Sequence, residues 1–208
     1  MNNTFSIKES FSFAWTTFKK RPWLFIGVIL TTIVIMGISS SVFAPAHGGN
    51  IIFNLINVMI SIFVDMGMVM FALHAHDDVS NAGWKNLWAP QQFWKYLGAT
   101  ILVGLITVVG FILLIIPGVI AVLGLMFTKY LVIDRKLGPV QALKASWRIT
   151  KGHKLHLLGF IAVSGLLNLA GAIALLIGLL VTVPLTMLAA AHIYRALVRA
   201  APETIVAA

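Results

Sequence analysis

Residues 137–153 read LGPVQALKASWRITKGH, a basic interruption in an otherwise apolar chain. Five basic side chains and one Trp fall between Arg135 and Lys151, while the long stretches on either side are nearly uncharged. The apolar run from Leu97 to Ile133 precedes this segment, and a second run follows from 155 to about 195. At about 1.5 Å per residue each run is too long for one membrane crossing and too short for two with a long loop. The basic segment therefore joins two tightly turned pairs of crossings on one side of a membrane.

The composition agrees. Of 208 residues, 60% are hydrophobic and 10% charged, and mean hydropathy is +0.98. Soluble domains carry about 25% charged residues. The expected class is an all-α, polytopic integral membrane protein with a single membrane domain over 1–208, and room for roughly six spans of about 20 residues. The absence of cysteine excludes disulfides, thiolate metal sites and a cysteine nucleophile. In such a chain a net charge of +9 points to anionic phospholipid headgroups as partners. Nucleic acid is not expected, because no fold surrounds these charges to present them.

The spans are expected at about 23–43, 51–74, 97–115, 117–133, 155–177 and 179–197. The first is followed by Ala44-Pro45-Ala46, which resembles a cleavage site, but its apolar stretch exceeds the ~7–15 residues of a signal peptide. It is read as a retained span. Pro117 and Gly118 supply the helix break in the run 97–133, since proline disfavours helix before it and glycine permits a tight turn. An outer turn is thus expected at 115–118. The second run divides near Ile177-Gly178, with Pro184 opening or kinking the last helix. All fifteen Lys and Arg are assigned to the N-terminus, to the segments joining spans two to three and four to five, or to the C-terminus. The opposite turns carry none, which places both termini in the cytoplasm. Trp15, Trp23, Trp84, Trp88, Trp94 and Trp147 are expected as interfacial anchors on that side.

A repeat is visible at an offset of 132: SFAWTTFKKRPWLFIG (12–27) aligns Trp15, Lys19 and Gly27 with Trp147, Lys151 and Gly159 of KASWRITKGHKLHLLG (144–159). At an offset of 61, Gly98, Gly104 and Gly110 fall on Gly159, Gly165 and Gly171. The expected architecture is three units, about 5–75, 79–136 and 138–200. Each is a cytoplasmic interfacial amphipathic helix followed by a transmembrane hairpin. In the first helix Ser6 and Glu9 form a capping box, and Ile7, Phe11, Ala14, Trp15 and Phe18 share a face. In the third, Pro139 opens the helix and Val140, Leu143 and Trp147 oppose Lys144, Arg148 and Lys151. Such helices lie in the interface with the basic face on lipid. Lys19, Lys20, Arg21, Lys144, Arg148 and Lys151 are the expected headgroup contacts.

IIPGV (115–119), FWKYLGA (93–99) and LGPVQALKASWRITKGH resemble bacterial polytopic membrane proteins of unknown function. These are related to the membrane domain attached to some glycerophosphodiester phosphodiesterases. The resemblance is clear from about 93 to 160 and implies a six-span bundle in the bacterial plasma (inner) membrane. The catalytic barrel and its acidic and histidine site are absent, so phosphodiesterase activity is not implied.

Asp65 is the one acid well inside a span, roughly 13 Å from His74 along a helix. Ionisable groups at such depth face the bundle or a water-filled cavity. With Asn168 at comparable depth on the fifth span, it forms a candidate intramembrane polar site, or else a structural hydrogen bond. His74, His76, Asp77, Asp78, His153 and His156 carry ligand-type side chains near the interface, but no metal-binding spacing, and no metal or cofactor is expected. Ala170, Ala174 and Gly178 form a small-residue stripe. No phosphate-binding loop, nucleophile elbow or paired catalytic carboxylates occur.

Two functions follow. The first is a non-enzymatic inner-membrane protein whose basic helices engage anionic lipid, with other membrane proteins as further partners and the oligomeric state left open. The alternative is a small transporter or channel around Asp65 and Asn168. Against it, only Thr100, Thr107 and Thr128 supply hydroxyls in 97–133.

Overall fold

A computed structural model describes residues 4–42, 51–84, 92–174 and 177–202. Trp88, the turn at 44–50 and residues 85–91 of the expected middle amphipathic helix lie outside the described residues. The described chain is helical: α1 (Ile7–Lys20), α2 (Pro22–Val42), α3 (Ile51–Asp77), α4 (Phe93–Leu113), α5 (Ile115–Leu125), α6 (Thr128–Arg135), α7 (Pro139–Ile149), α8 (Lys154–Ile173) and α9 (Leu179–Ala200). Six segments are long and apolar enough to cross a membrane: α2, α3, α4, α5 with α6, α8, and α9.

Burial separates these spans into two kinds. Half or more of the most apolar stretch is buried in Ile115–Arg135 and Leu179–Ala200 (50% and 56%), against 17–22% in the other four. The α5–α6 segment and α9 are therefore the centre. The core gathers at the basic end, where Phe25, Phe71, Met66, Phe127, Leu131, Leu188, Ile193 and Tyr194 are almost fully enclosed. Away from it, α2, α4 and α8 present Ile33, Ile38, Leu105, Ile112, Leu166 and Ile173 outward. In hydrocarbon such exposure costs nothing, because lipid tails are as apolar as the side chains.

The break in the run 97–133 sits earlier than the sequence suggests. Leu114 alone is extended (φ −170°, ψ 158°) and α5 begins at Ile115, so Pro117 and Gly118 lie in the first turn of α5. Proline is tolerated there because the first N–H groups of a helix have no intrahelical acceptor. Gly118 serves close packing instead: a Cβ on it would sit 2.5 Å from the Phe111 ring, and one on Gly110 would sit 3.0 Å from Gly118 Cα. The contact between α8 and α9 is closer still. A Cβ on Gly178 would lie 2.6 Å from both Cα and O of Gly171, backbone against backbone. Gly178→Val is accordingly expected to force α8 and α9 apart and lower the melting temperature in detergent, whereas Gly165→Val, which meets nothing within 4 Å, leaves it nearly unchanged.

The short helices bury part of the faces expected of them, Ala14 and Phe18 in α1 and Leu143 in α7, together with small residues beside them. α1 packs along α9, with Phe13 on His192, and buries Ser10, Ala14, Thr17 and Phe18, leaving Trp15 45% exposed. α7 buries Ala142, Leu143, Ala145, Ser146 and Ile149, while Val140 and Trp147 stay 55% and 40% exposed. Where one side is lipid, close approach of backbones rewards small residues, and large apolar ones can face outward at no cost. α7 opens with Pro139 in its first turn, and Gln141 Oε1 accepts from the Gly138 N–H (3.1 Å). It is fastened to α5 by Ser146 Oγ and Thr150 Oγ1, which donate to the Gly124 carbonyl (2.8 and 3.2 Å). That carbonyl lies beside the C-terminus of α5, where helical carbonyls lose their partners. A Cβ on Gly124 would enter the Trp147 ring.

Candidate functional site

Two charged clusters tie α3 to α6. The deeper one is built on Asp65, midway along α3. Its Oδ2 accepts from Tyr96 Oη of α4 (2.6 Å) and from Lys129 Nζ in the first turn of α6 (2.5 Å). Tyr96 is fully buried, and Lys129 Nζ lies 5.7 Å from its ring centroid. The long Lys129 side chain brings its ammonium to the acid, so Asp65 sits in the span as half of a neutral pair. A cavity of about 380 Å³ opens beside it, walled by Thr32, Met36, Val64, Met68 and Met187.

This corrects two expectations. Lys129 lies within the fourth candidate span, Ile115–Arg135, and not in the segment between spans four and five. Asn168 does not join Asp65: it lines no part of this cavity, and its Oδ1 is buried with no hydrogen-bond partner among the described residues.

The second cluster stands at the basic ends of α3, α6 and α9. Arg195 clamps Asp77 with Nε and Nη2 (3.0 and 2.5 Å) and donates from Nη1 to Asp134 Oδ1 (2.7 Å). Tyr194 Oη donates to Asp134 Oδ2 (2.7 Å), where Arg135 Nε also lies at 3.3 Å. His76 holds Asp77 through Nδ1 (3.0 Å), and its Nε2 lies 3.2 Å from His192 Nδ1, a hydrogen bond in which one ring donates and the other accepts. Phe13 of α1 packs at a tilt against His76 (4.7 Å) and stacks on His192 (4.5 Å). A cavity of about 300 Å³ reaches this cluster past His74, Asp77, Asp134, Lys136 and Arg195. Tyr130 packs at a tilt against Tyr194 (5.3 Å) and also lines the cavity at Asp65, so an aromatic pair stands between the two clusters.

Of the other described histidines, His74 Nδ1 meets the Met70 carbonyl (2.9 Å) and His153 Nε2 meets Thr4 Oγ1 (3.2 Å), while His156 stands edge-on to the Phe5 ring (6.2 Å). Asp78, beyond the end of α3, braces the loop at 78–82. It accepts from the Asn81 amide (2.6 Å) and from the Ser80 N–H (2.9 Å). These bonds, the Asn81 side chain's first, hold its carboxyl below the usual range. The brace is therefore intact above the ordinary carboxylate pKa and loosens as pH falls through the lowered one.

Of the expected headgroup contacts, Arg21 is committed elsewhere: its Nη1 donates to the carbonyls of Val79, Ser80 and Ala82 (3.3, 2.9 and 2.9 Å). Lys19 lies over the Trp15 ring at 4.8 Å. Lys19, Lys20, Lys144, Arg148 and Lys151 are all exposed, and none has an acidic partner among the described residues. Trp23, Trp84 and Trp94 are exposed as well (83%, 49% and 74%), and Trp147 lies under Lys154 Nζ at 3.8 Å.

Sequence reasoning missed Lys129, Tyr96, Tyr194, Asp134 and Arg195. Asp134 and Arg195 carried a signal, because an acid close to a span end in a chain with six acids needs a basic partner nearby. Comparison with family models, curated proteins and solved structures finds no match to this chain, so function is read from the geometry alone.

Proposed function

We propose that the protein is a non-enzymatic component of the bacterial inner membrane whose basic end grips anionic phospholipid headgroups, organising lipid or a membrane complex there. One observation carries this. The span carboxylates Asp65, Asp77 and Asp134 are each held by Lys129 or Arg195, which leaves Lys19, Lys20, Lys144, Arg148 and Lys151 as exposed positive charge with no acidic partner among the described residues. In this reading the spans pair as three hairpins in the repeated pattern of the sequence. α1 and α7 lie along the cytoplasmic surface with their charges toward the headgroups, and both termini are cytoplasmic. Each basic residue at such a surface contributes about 1 kcal/mol, enough for lipid identity to register in stability.

The test is thermal unfolding of the full chain in neutral detergent, titrated with phosphatidylglycerol or phosphatidylcholine. Phosphatidylglycerol is expected to raise the melting temperature more than phosphatidylcholine. The combined Lys144→Glu, Arg148→Glu and Lys151→Glu variant is expected to lose most of that difference. Equal shifts with both lipids in the unaltered protein would overturn the proposal.

A further inference from the structure

The cavity at Asp65 has chemistry that headgroup binding at the basic end does not use. We propose that it holds one zwitterionic phospholipid bearing a primary ammonium, entering sideways from the bilayer. Both donors to Asp65 converge on Oδ2, and among the described residues no donor reaches Oδ1. Lys129 spends one of its three N–H groups on that bond, leaving two for an acceptor. Asp65 and Lys129 remain 43% and 30% exposed in their side chains, and both line the cavity of about 380 Å³. A partly exposed ion pair inside a span faces a polar guest more readily than hydrocarbon.

The pair is neutral, and that selects the guest. A ligand with net charge brought to this depth would have no counter-charge, whereas a zwitterion presents one group to each half of the pair. An ammonium donates to Asp65 Oδ1 and a phosphate oxygen accepts from Lys129 Nζ, both charge-assisted bonds. The walls supply the rest. A second cavity of about 180 Å³, lined by Val28, Ile35, Phe63 and Gly67, shares Thr32, Val64 and Met68 with the first. It is almost wholly apolar and runs between α2 and α3. Head and chain of one amphiphile thus find adjoining compartments of matching polarity.

The experiment is native mass spectrometry of the full chain in neutral micelles carrying equal mole fractions of phosphatidylethanolamine, phosphatidylcholine and phosphatidylglycerol. One phosphatidylethanolamine is expected to be retained about tenfold better than phosphatidylcholine, whose quaternary ammonium has no N–H to give. Asp65→Asn is expected to erase that discrimination. Thr32→Phe and Met36→Phe fill the cavity from α2 without touching the ion pair, and either is expected to abolish retention, so failure of one to fold leaves the other as the test. Equal retention of phosphatidylethanolamine and phosphatidylcholine by the unaltered protein would overturn the proposal, as would unchanged retention in a folded cavity-filling variant. Preferential retention of phosphatidylglycerol at this site would also overturn it, while leaving the role of the basic end standing, since that depends on Lys144, Arg148 and Lys151.

Discussion

Replacing Arg195 with methionine is expected to cost about 3–5 kcal/mol of stability, the loss typical when one partner of a buried ion pair is removed. Arg195 is the only basic side chain that reaches both Asp77 and Asp134 among the described residues. Asp134 is 14% exposed and Arg195 17%, so most of the loss arises at Asp134, which would keep only Tyr194 and the longer contact with Arg135. Asp77 is 48% exposed, and solvent screening discounts its share. Arg195→Lys recovers part of the loss, because a point charge cannot reproduce a fork that grips one carboxylate twice while reaching a second. Denaturant unfolding in detergent micelles measures this. A loss under about 1 kcal/mol would reduce the cluster to a solvated surface pair.

Lys129→Met should rank next in effect. It leaves Asp65 with the Tyr96 hydroxyl alone, inside a span where an unpaired charge is expensive. The pair is not fully buried, with Asp65 43% and Lys129 30% exposed in their side chains, which keeps the cost nearer the lower end of about 3–5 kcal/mol. Asp65→Asn strands the ammonium in the same way. The two changes together are expected to cost less than either alone, because an apolar or neutral replacement of both partners removes the desolvation penalty along with the attraction. Unfolding of the two single variants and the double one closes the cycle. Simple additivity would show that Asp65 and Lys129 are not coupled.

The spans were legible in the sequence, because crossing a membrane needs about 20 apolar residues in a row and little else resembles that pattern. Details that depend on close packing were not. Pro117 pointed to a break near the right place, but a proline fits a first helical turn, and the chain reverses at Leu114 instead. Of the apolar stripe Val140, Leu143 and Trp147, Leu143 is buried, yet Ala142, Ala145 and Ser146 fill most of the protein face, since lipid removes the penalty for exposing the larger residues. Asp65 stood out as an acid out of place. Its partners did not, because Tyr96 and Lys129 lie 31 and 64 positions away and no local pattern links them. Assigning every basic residue to one side of the membrane hid Lys129 in plain view.

The most direct test of the central claim is the lipid composition that accompanies the protein when it is cut from the membrane in polymer discs without detergent. Anionic phospholipid is expected to be enriched over the surrounding bilayer, and the enrichment to disappear when Lys19, Lys20, Lys144, Arg148 and Lys151 are all replaced by glutamine. A lipid shell matching the bulk membrane in the unaltered protein would contradict the account.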